Sequence, residues 1–569
     1  MVIERKKNID MHLTSTRLPL RLQIAAGAIL AIAIAVPACS LVGKTLATGG
    51  EQKLKDHEPE PLATPRVIIF ALDGAGHDQL MAAIASGKAP NMASVLGKDE
   101  GNGVYEQAYS APKALSLLPS STIANWSSIF TGQPPAWDGV TGDEWFERRT
   151  MSFYAPVPVS VEDTTDLTKV VNDDLVGDAL ETPTLYAQIP GRSNVSLLSV
   201  YKGAALYTTV APSSLVGMIG GLLAGKAEGE SAEKSLSADI DSDSVPKLLD
   251  AINEHGIPNL QVVYFPGIDI YTHEAKDPLN SEVNYLEQVT DKNVGEVLDL
   301  YRKKNALDGT YVMFIADHGH IPVMNDHAHA LAATGKDSPF ELVRQQGLRV
   351  RKPTVDVTTG DDDFQAVLAY QGFMAYIYLA DRSTCAAPGK KCDWSRPARL
   401  EQDVMPVARA FDQANRTGAG APGLKGSIDL IFAREPAVPG QMAREYQIYD
   451  RGQLVPIYQY LMTHPRPDLI NLDQRMRYLS AGPHGDRAGD ILLLSKASMA
   501  LPISERYYFC EVPHYSMHGS AEWQDGHVPL ILAQIGGSGV KMRAIVEKIG
   551  GDAPSERMVT PIVRALFQK

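Results

Sequence analysis

Three short, near-continuous apolar runs frame this chain: Val67–Leu72, Gln261–Phe265 and Val312–Ala316. Runs of that length without polar alternation predict strands buried on both faces, as in a parallel sheet covered by helices. Each is followed closely by an aspartate: Asp73, Asp269 and Asp317. Asn194–Val200, Asp490–Leu494 and Val528–Ala533 add strand candidates, with segments of helical character between several of them. The pattern predicts an α/β fold, a doubly wound and mostly parallel sheet. In such sheets ligands bind beyond the carboxyl ends of the strands, so the three aspartates are predicted to converge although they are far apart in sequence.

Two long stretches, about 144–193 and about 350–482, carry none of these strand-plus-acid units and are expected to form cap or rim insertions. The polar, small-residue run Gly225–Ser235 reads as a mobile surface loop. There is no internal repeat and no heptad pattern.

The first 43 residues read differently. Arg5, Lys6, Lys7, Arg17 and Arg21 precede an uncharged stretch, Leu22–Gly43, whose most apolar part is Ile24–Ala38. That is the layout of an export signal, and the wider uncharged stretch is also long enough to cross a bilayer. Val36-Pro37-Ala38-Cys39-Ser40 resembles a bacterial lipoprotein processing site with Cys39 as the lipidated residue; an uncleaved helical anchor is the alternative. Either way the basic flank stays cytoplasmic and the bulk faces outward, on the periplasmic side of a bacterial envelope or secreted after cleavage. Residues 44–65 then form a polar linker, residues 66–540 the main domain, and residues 541–569 a C-terminal tail.

The chain has 53 basic and 67 acidic side chains, a formal charge of −14. That balance argues against nucleic-acid polymers, whose binding needs clustered Lys and Arg. A small phosphorylated substrate would draw its local positive charge from bound cations. Of the four cysteines, Cys385 and Cys392 bracket a short loop suited to a disulfide in an exported chain. Cys510 reads as a buried small hydrophobe.

The chemistry centres on Leu118-Pro119-Ser120-Ser121-Thr122-Ile123-Ala124-Asn125, where hydroxyls precede a helical segment. A hydroxyl there is an ordinary helix cap, or it lies where backbone N–H groups and the helix dipole stabilise phosphate and alkoxide charge. Metal ligands favour the second reading, and suitable types are present: Asp73, Asp269 and His273 four apart, adjacent Asp317 and His318, and His518. Mixed carboxylate and imidazole ligands suit zinc.

In their order these motifs resemble the alkaline phosphatase superfamily, and within it the type I phosphodiesterase/nucleotide pyrophosphatase branch with its phosphate-irrepressible phosphatase relatives. The matching elements are Asp73, then Pro119-x-x-Thr122 with Asn125, Thr131-Gly132, Asp269-x-x-x-His273, Asp317-His318-Gly319 and His518-Gly519. The resemblance implies two Zn²⁺ ions, one held by Asp73, Thr122, Asp317 and His318, the other by Asp269, His273 and His518. Thr122 would be the nucleophile, passing through a phosphothreonine, and Asn125 an orienting or capping residue. The chain departs from the family where Gly142-Asp143-Glu144-Trp145 places Asp143 at the position of an Asn that contacts phosphate. An ionised Asp143 would repel the phosphoryl group, unless it is protonated, paired with Lys202 or bound to an extra cation. Lys202 follows a predicted strand where the monoesterase relatives place a basic pair. His320, His327, His329 and His527 are expected to be supporting or loop histidines, and Trp126, Trp145 and Phe146 either pack in the core or wall a leaving group. The expected activity is hydrolysis of small phosphodiesters or nucleotide pyrophosphates, or of monoesters. A phosphoryl-group transferase of the envelope and a non-catalytic protein on the same fold are the alternatives.

Overall fold

The computed structural model describes residues 49–568 apart from 56–58, 162, 164, 211–229, 357–362 and 388. The export or anchor segment and the first part, 225–229, of the predicted loop at Gly225–Ser235 lie outside the described residues. From Glu230 onward that supposed loop is already the helix Glu230–His255. No helix among the described residues is long and apolar enough to cross a membrane.

A ten-stranded sheet forms the body, in the order Glu51–Lys53, Leu206–Thr208, Ser193–Ser196, Leu260–Phe265, Val67–Leu72, Tyr311–Ile315, Leu530–Gln534, Ala108–Ser110, Val104–Tyr105 and Asp99–Gly101. The five strands from Leu206–Thr208 to Tyr311–Ile315 are parallel. Leu530–Gln534 runs antiparallel to its neighbour, so the predicted strand near Val528–Ala533 exists but points the other way. Part of the expected linker also joins the sheet, since Glu51–Lys53 pairs antiparallel with Leu206–Thr208 at one edge.

Alternation along the central strand explains why it reads as one apolar run. Val67, Ile69 and Ala71 enter one buried cluster, while Ile68, Phe70 and Leu72 enter the cluster on the opposite face. Both faces are covered, so neither set of positions tolerates polar residues. The expected C-terminal tail contributes to the first of these clusters. Its helices Gly539–Gly550 and Val559–Phe567 supply Met542, Val546, Val559, Ile562, Val563 and Leu566 to the core.

The stretch read as an insertion at about 350–482 carries five strands of a second, six-stranded antiparallel sheet, completed by Ile491–Ser495 from beyond it; the order is Ala366–Gln371, Met374–Leu379, Ile491–Ser495, Ile428–Ala433, Gln447–Asp450 and Gln453–Pro456. The strand predicted at Asp490–Leu494 belongs here and not to the main sheet. It has apolar clusters of its own on both faces, including Val367 and Ala369 on one side and Ala366, Leu368 and Tyr370 on the other. The turn at the tip of its first hairpin is packed against the carboxyl-end loops of the main sheet. Phe373 N–H donates to the His518 carbonyl at 3.0 Å. Gly519, at φ 105°, lies so close to the hairpin that a Cβ there would be 1.8 Å from the Gln371 carbonyl oxygen. A side chain at Gly519 would force the two sheets apart.

The Cys385–Cys392 disulfide is formed, with seven residues of sequence separation, and Cys510 is buried as a free thiol. Closing so short a loop restricts the unfolded chain only modestly, worth about 2 kcal/mol. The Cys385→Ser/Cys392→Ser double variant is expected to fold and to lose about that much in denaturant titration. A loss near zero would show the bridge to be dispensable for stability.

Candidate active site

The three acid-bearing strands are neighbours in the sheet, with Val67–Leu72 between the other two. Leu72 pairs with Phe265, and Ala71 with Ile315. That register brings Asp73, Asp317 and the helix Gly267–Glu274, which carries Asp269 and His273, to the same end of the sheet. Asp73 reaches it through Gly74 at φ +69°, where a Cβ would lie 2.5 Å from His320 Nε2. The loop can approach the other ligands only with a glycine at that position. Thr122 arrives from another direction, as the first residue of the buried helix Thr122–Thr131.

The convergence is tight. His318 Nε2 lies 3.3 Å from Thr122 Oγ1, 3.5 Å from Asp73 Oδ1 and 3.4 Å from Asp317 Oδ2. Asp269 Oδ1 is 3.3 Å from His273 Nε2, 3.7 Å from His518 Nε2 and 4.0 Å from His318 Nε2. Three overlapping three-ligand groupings result, Asp73/Asp317/His318, Asp269/His273/His518 and Asp269/His318/His320, with Thr122 beside the first.

Each imidazole is oriented by its other ring nitrogen. His273 Nδ1 lies 2.7 Å from the Ser516 carbonyl, His518 Nδ1 3.1 Å from the Ser120 carbonyl, and His318 Nδ1 3.1 Å from the Gly319 carbonyl. A carbonyl only accepts, so each Nδ1 carries a proton and each Nε2 is the nitrogen turned inward. Outer hydrogen bonds of this kind are how proteins aim metal-binding histidines.

A fourth imidazole shares the pocket, and it is not where the sequence reading placed it. His320, expected as a supporting residue, has Nε2 3.2 Å from Asp269 Oδ1 and is fully buried. The Ser516 hydroxyl donates to the Thr272 carbonyl and so accepts from His320 Nδ1, leaving Nε2 as another inward lone pair. The signal was the second histidine of Asp317-His318-Gly319-His320. Spacing alone does not separate it from His327, which is exposed, or from His329, which pairs with Asp326 at 2.7 Å.

The electrostatics of the pocket call for cations. Burial, reinforced by Asp269, pushes the Asp73 carboxyl well above its ordinary range, and burial together with Asp73 does the same to Asp317. Burial also acts on Asp269, but His273 and His320 outweigh it and hold that carboxylate well below its ordinary value. Burial pulls the His273 imidazole down, yet Asp269 lifts it to about 9; burial takes His318 down to about 3. Asp73 Oδ1, Asp269 Oδ1, Asp317 Oδ2 and His320 Nε2 are buried with no hydrogen-bond partner. Buried acceptors crowded against one another are costly unless a cation lies among them. The donor set of carboxylates and imidazoles therefore fits two divalent metals of the zinc type.

The remaining candidates separate. Tyr264 O–H and Trp126 Nε1–H both donate to Asp73 Oδ2, which leaves Oδ1 facing His318. Trp126, Trp145 and Phe146 are all buried, so they pack in the core. Asn125 braces the loop before the helix, its Oδ1 accepting from Leu117 N–H and its Nδ2 donating to the Pro119 carbonyl, each at 3.1 Å. Ser120 donates to the Ser520 carbonyl at 2.6 Å and accepts from Arg475. Lys202 is half exposed and bonded to Asp178 Oδ1 at 2.9 Å and the Gly177 carbonyl at 3.0 Å. The ion pair with Asp143 considered for it is not formed.

Asp143 is buried at the start of the helix Thr122–Thr131, its Oδ1 accepting the Ile123 N–H at 2.9 Å. It thus caps the helix from outside, since the N-cap residue Ser121 makes no such bond. Burial pushes its carboxyl up to about 7. Gln371, at the hairpin tip of the second sheet, holds it in place by accepting the Asp143 N–H at 2.7 Å. The stretch from about residue 350, read as carrying none of the chemistry, thus positions a residue at the start of the Thr122–Thr131 helix.

Among solved structures, murine ectonucleotide pyrophosphatase/phosphodiesterase 5, an inactive form in complex with AMP, is 10% identical, with 89% of this chain and 95% of that chain covered at a TM-score of 0.48. Phosphonoacetate hydrolase from Sinorhizobium meliloti 1021, in complex with phosphonoacetate, is 16% identical over 84% of this chain and 92% of that one, at a TM-score of 0.44. Residues 67–371, more than half of the sequence and spanning six of the seven implied metal ligands, match the family described as type I phosphodiesterase/nucleotide pyrophosphatase. On that match the chain belongs to the type I phosphodiesterase/nucleotide pyrophosphatase family.

Proposed function

We propose that this protein hydrolyses small phosphodiesters or nucleotide pyrophosphates with two metal ions and Thr122 as the nucleophile. The observation that carries the reading is the position of Thr122. Its hydroxyl stands at a helix N-terminus, 3.3 Å from His318 Nε2, at the rim of a pocket built from three aspartates and four histidines. Asp73, Asp317 and His318 would hold one metal beside Thr122, and Asp269, His273 and His518 the other, with His320 in reach of it. When bound, the metals would favour the alkoxide form of Thr122 and offset phosphate charge.

The chain's own residues then divide the work. Thr122 Oγ1 attacks phosphorus, the bond to one alcohol breaks and that alcohol leaves with a proton, giving a phosphothreonine that still carries the other ester group; water then attacks phosphorus, the bond to Oγ1 breaks, and a phosphate monoester leaves as Thr122 regains its proton. The helix Thr122–Thr131 directs its positive end at the charge that develops on the phosphoryl oxygens. Asn125 keeps the preceding loop, and with it Thr122, in register.

Diesters are favoured over monoesters by two features. Lys202, the basic residue that a dianionic monoester would need, is bonded to Asp178. Asp143 adds an acid beside the nucleophile helix. A monoester and a diester of one chromogenic alcohol, assayed side by side, test the preference, and faster turnover of the monoester would reverse it.

Asp143→Asn is expected to lower KM for phosphate esters by on the order of tenfold above pH 7, by removing a like charge from beside the phosphoryl group. The sign follows from a raised carboxyl pKa: the wild-type group is charged above about 7 and neutral below it. The gain should therefore shrink as pH falls through that value. The amide oxygen can still accept the Ile123 N–H, so the helix cap and folding should survive. A pH-independent change would place the effect elsewhere than in the charge.

An oxidising, extracytoplasmic location also belongs to this proposal. The Cys385–Cys392 disulfide and the basic-then-apolar N-terminus support it.

A further inference from the structure

A second group of metal-ligand type lies outside the pocket just described. The helix His77–Ala85 opens with His77 and Asp78, and both face His527, which precedes the strand Leu530–Gln534. The two segments are joined by a backbone bond from His77 N–H to the His527 carbonyl at 3.0 Å. The imidazoles lie with ring centroids 4.2 Å apart, and Trp523 covers His527 at 4.1 Å. Both rings are therefore held in place.

Their remaining nitrogens point the same way. His527 Nε2 is 3.1 Å from the Pro112 carbonyl, which can only accept, so the proton is on Nε2 and Nδ1 carries a lone pair. His77 Nε2 lies 3.2 Å from Ser110 Oγ, a hydroxyl able to accept its proton. The two Nδ1 atoms converge on one carboxylate oxygen, Asp78 Oδ1, at 3.1 Å from His77 and 3.6 Å from His527. His527 is only 5% exposed, and its Nδ1 has no hydrogen-bond partner. A buried lone pair aimed at a carboxylate oxygen is repulsive unless a cation stands between them.

We propose that His77 Nδ1, Asp78 Oδ1 and His527 Nδ1 form a separate site for a divalent transition metal of the zinc type, with its fourth position open to water. The three ligand atoms lie within 4.8 Å of one another. Their 3.1 and 3.6 Å spacings bracket the edge of a tetrahedron around zinc, roughly 3.3 Å for bonds near 2.0–2.1 Å. Solvent reaches the site past Asp78, whose side chain is 64% exposed. Both outer nitrogens are held by protein oxygens, as at established histidine–metal centres. A metal here clamps the loop that carries Asp73 to the turn Trp523–Gly526. That turn holds the residue beside His318 through Gly319 N–H to the Asp525 carbonyl at 2.7 Å, and the Asp525 carboxylate takes the Ser520 N–H close to His518. The site would thus brace the frame of the active pocket without touching substrate.

The test is the zinc content per chain after equilibrium dialysis against Zn²⁺, for wild type, Asp78→Asn and His527→Gln. Each variant is expected to hold one zinc fewer than wild type, and cobalt-loaded wild type minus Asp78→Asn should leave the visible absorption of one tetrahedral site. Asp78 is exposed, so its variant guards against a folding defect in His527→Gln. Equal metal content in all three proteins would overturn the site. The readout is a difference between proteins, so it stands whether or not the active pocket proves to hold two metals.

Discussion

Thr122→Ala is expected to lose phosphate ester hydrolysis by at least ~10³-fold while keeping its metal content. Removing a nucleophile commonly costs more than that, and what remains reflects binding and electrostatic stabilisation without covalent catalysis. Thr122 is buried at the start of a helix whose packing comes from Ile123, Trp126, Ile129 and Phe130, so the truncation leaves the core intact. Its hydroxyl is 3.3 Å from His318 Nε2, beside the Asp73/Asp317/His318 group, which offers three ligands without it. Two measurements on one preparation, turnover and bound metal, therefore separate a chemical role from a structural one. Retained turnover would remove Thr122 from the mechanism; loss of metal together with turnover would make it chiefly a ligand.

The second large effect is expected at Asp269. Its Oδ1 lies between 3.2 and 4.0 Å from four imidazoles, those of His273, His318, His320 and His518. No other carboxylate oxygen in the pocket touches as many. Asp269→Asn keeps the size of the side chain but removes the charge, which in a buried site is what makes divalent binding favourable. The variant should lose one active-site metal, and hydrolysis should fall by ~10³-fold or more without recovery when Zn²⁺ is added. Wild type treated with chelator should also lose activity but regain it with Zn²⁺. Activity that survives both treatments would mean that the pocket works without metal.

Much of this site was legible before any coordinates. Asp73, Asp269 and Asp317 each end or follow a run of residues buried on both faces, and such runs are recognisable because no position in them is free to be polar. The spacing of His273 from Asp269 and the adjacency of His318 to Asp317 are local, so they survive in the sequence as motifs. Thr122 was singled out by the resemblance to the family, through its register with Pro119 and Asn125, and the structure puts it beside His318.

Other features depended on contacts that no local pattern records. His320 looked like His327 and His329, but only His320 is turned inward, because Ser516, 196 positions away, takes up its other nitrogen. The convergence of His77 and His527 joins segments at opposite ends of the main domain. The stretch from about residue 350 seemed a rim because it lacks strand-end acids, yet its hairpin tip carries Gln371, which holds Asp143, and packs against His518. Lys202 invited a phosphate because it follows a strand, but Asp178 is what it meets.

The sequence by itself determined the class of fold, the three strands that carry the acids and the chemical types gathered at their ends. These follow from burial period and from ligand chemistry, both written residue by residue along the chain. Tertiary structure alone decided which histidines face inward, which way the strand Leu530–Gln534 runs, and that a second sheet supports the pocket. Those outcomes depend on which carbonyl, hydroxyl or carboxylate meets each side chain from a distant segment, and hydrogen-bond partners chosen by packing leave no periodic trace in the order of the residues.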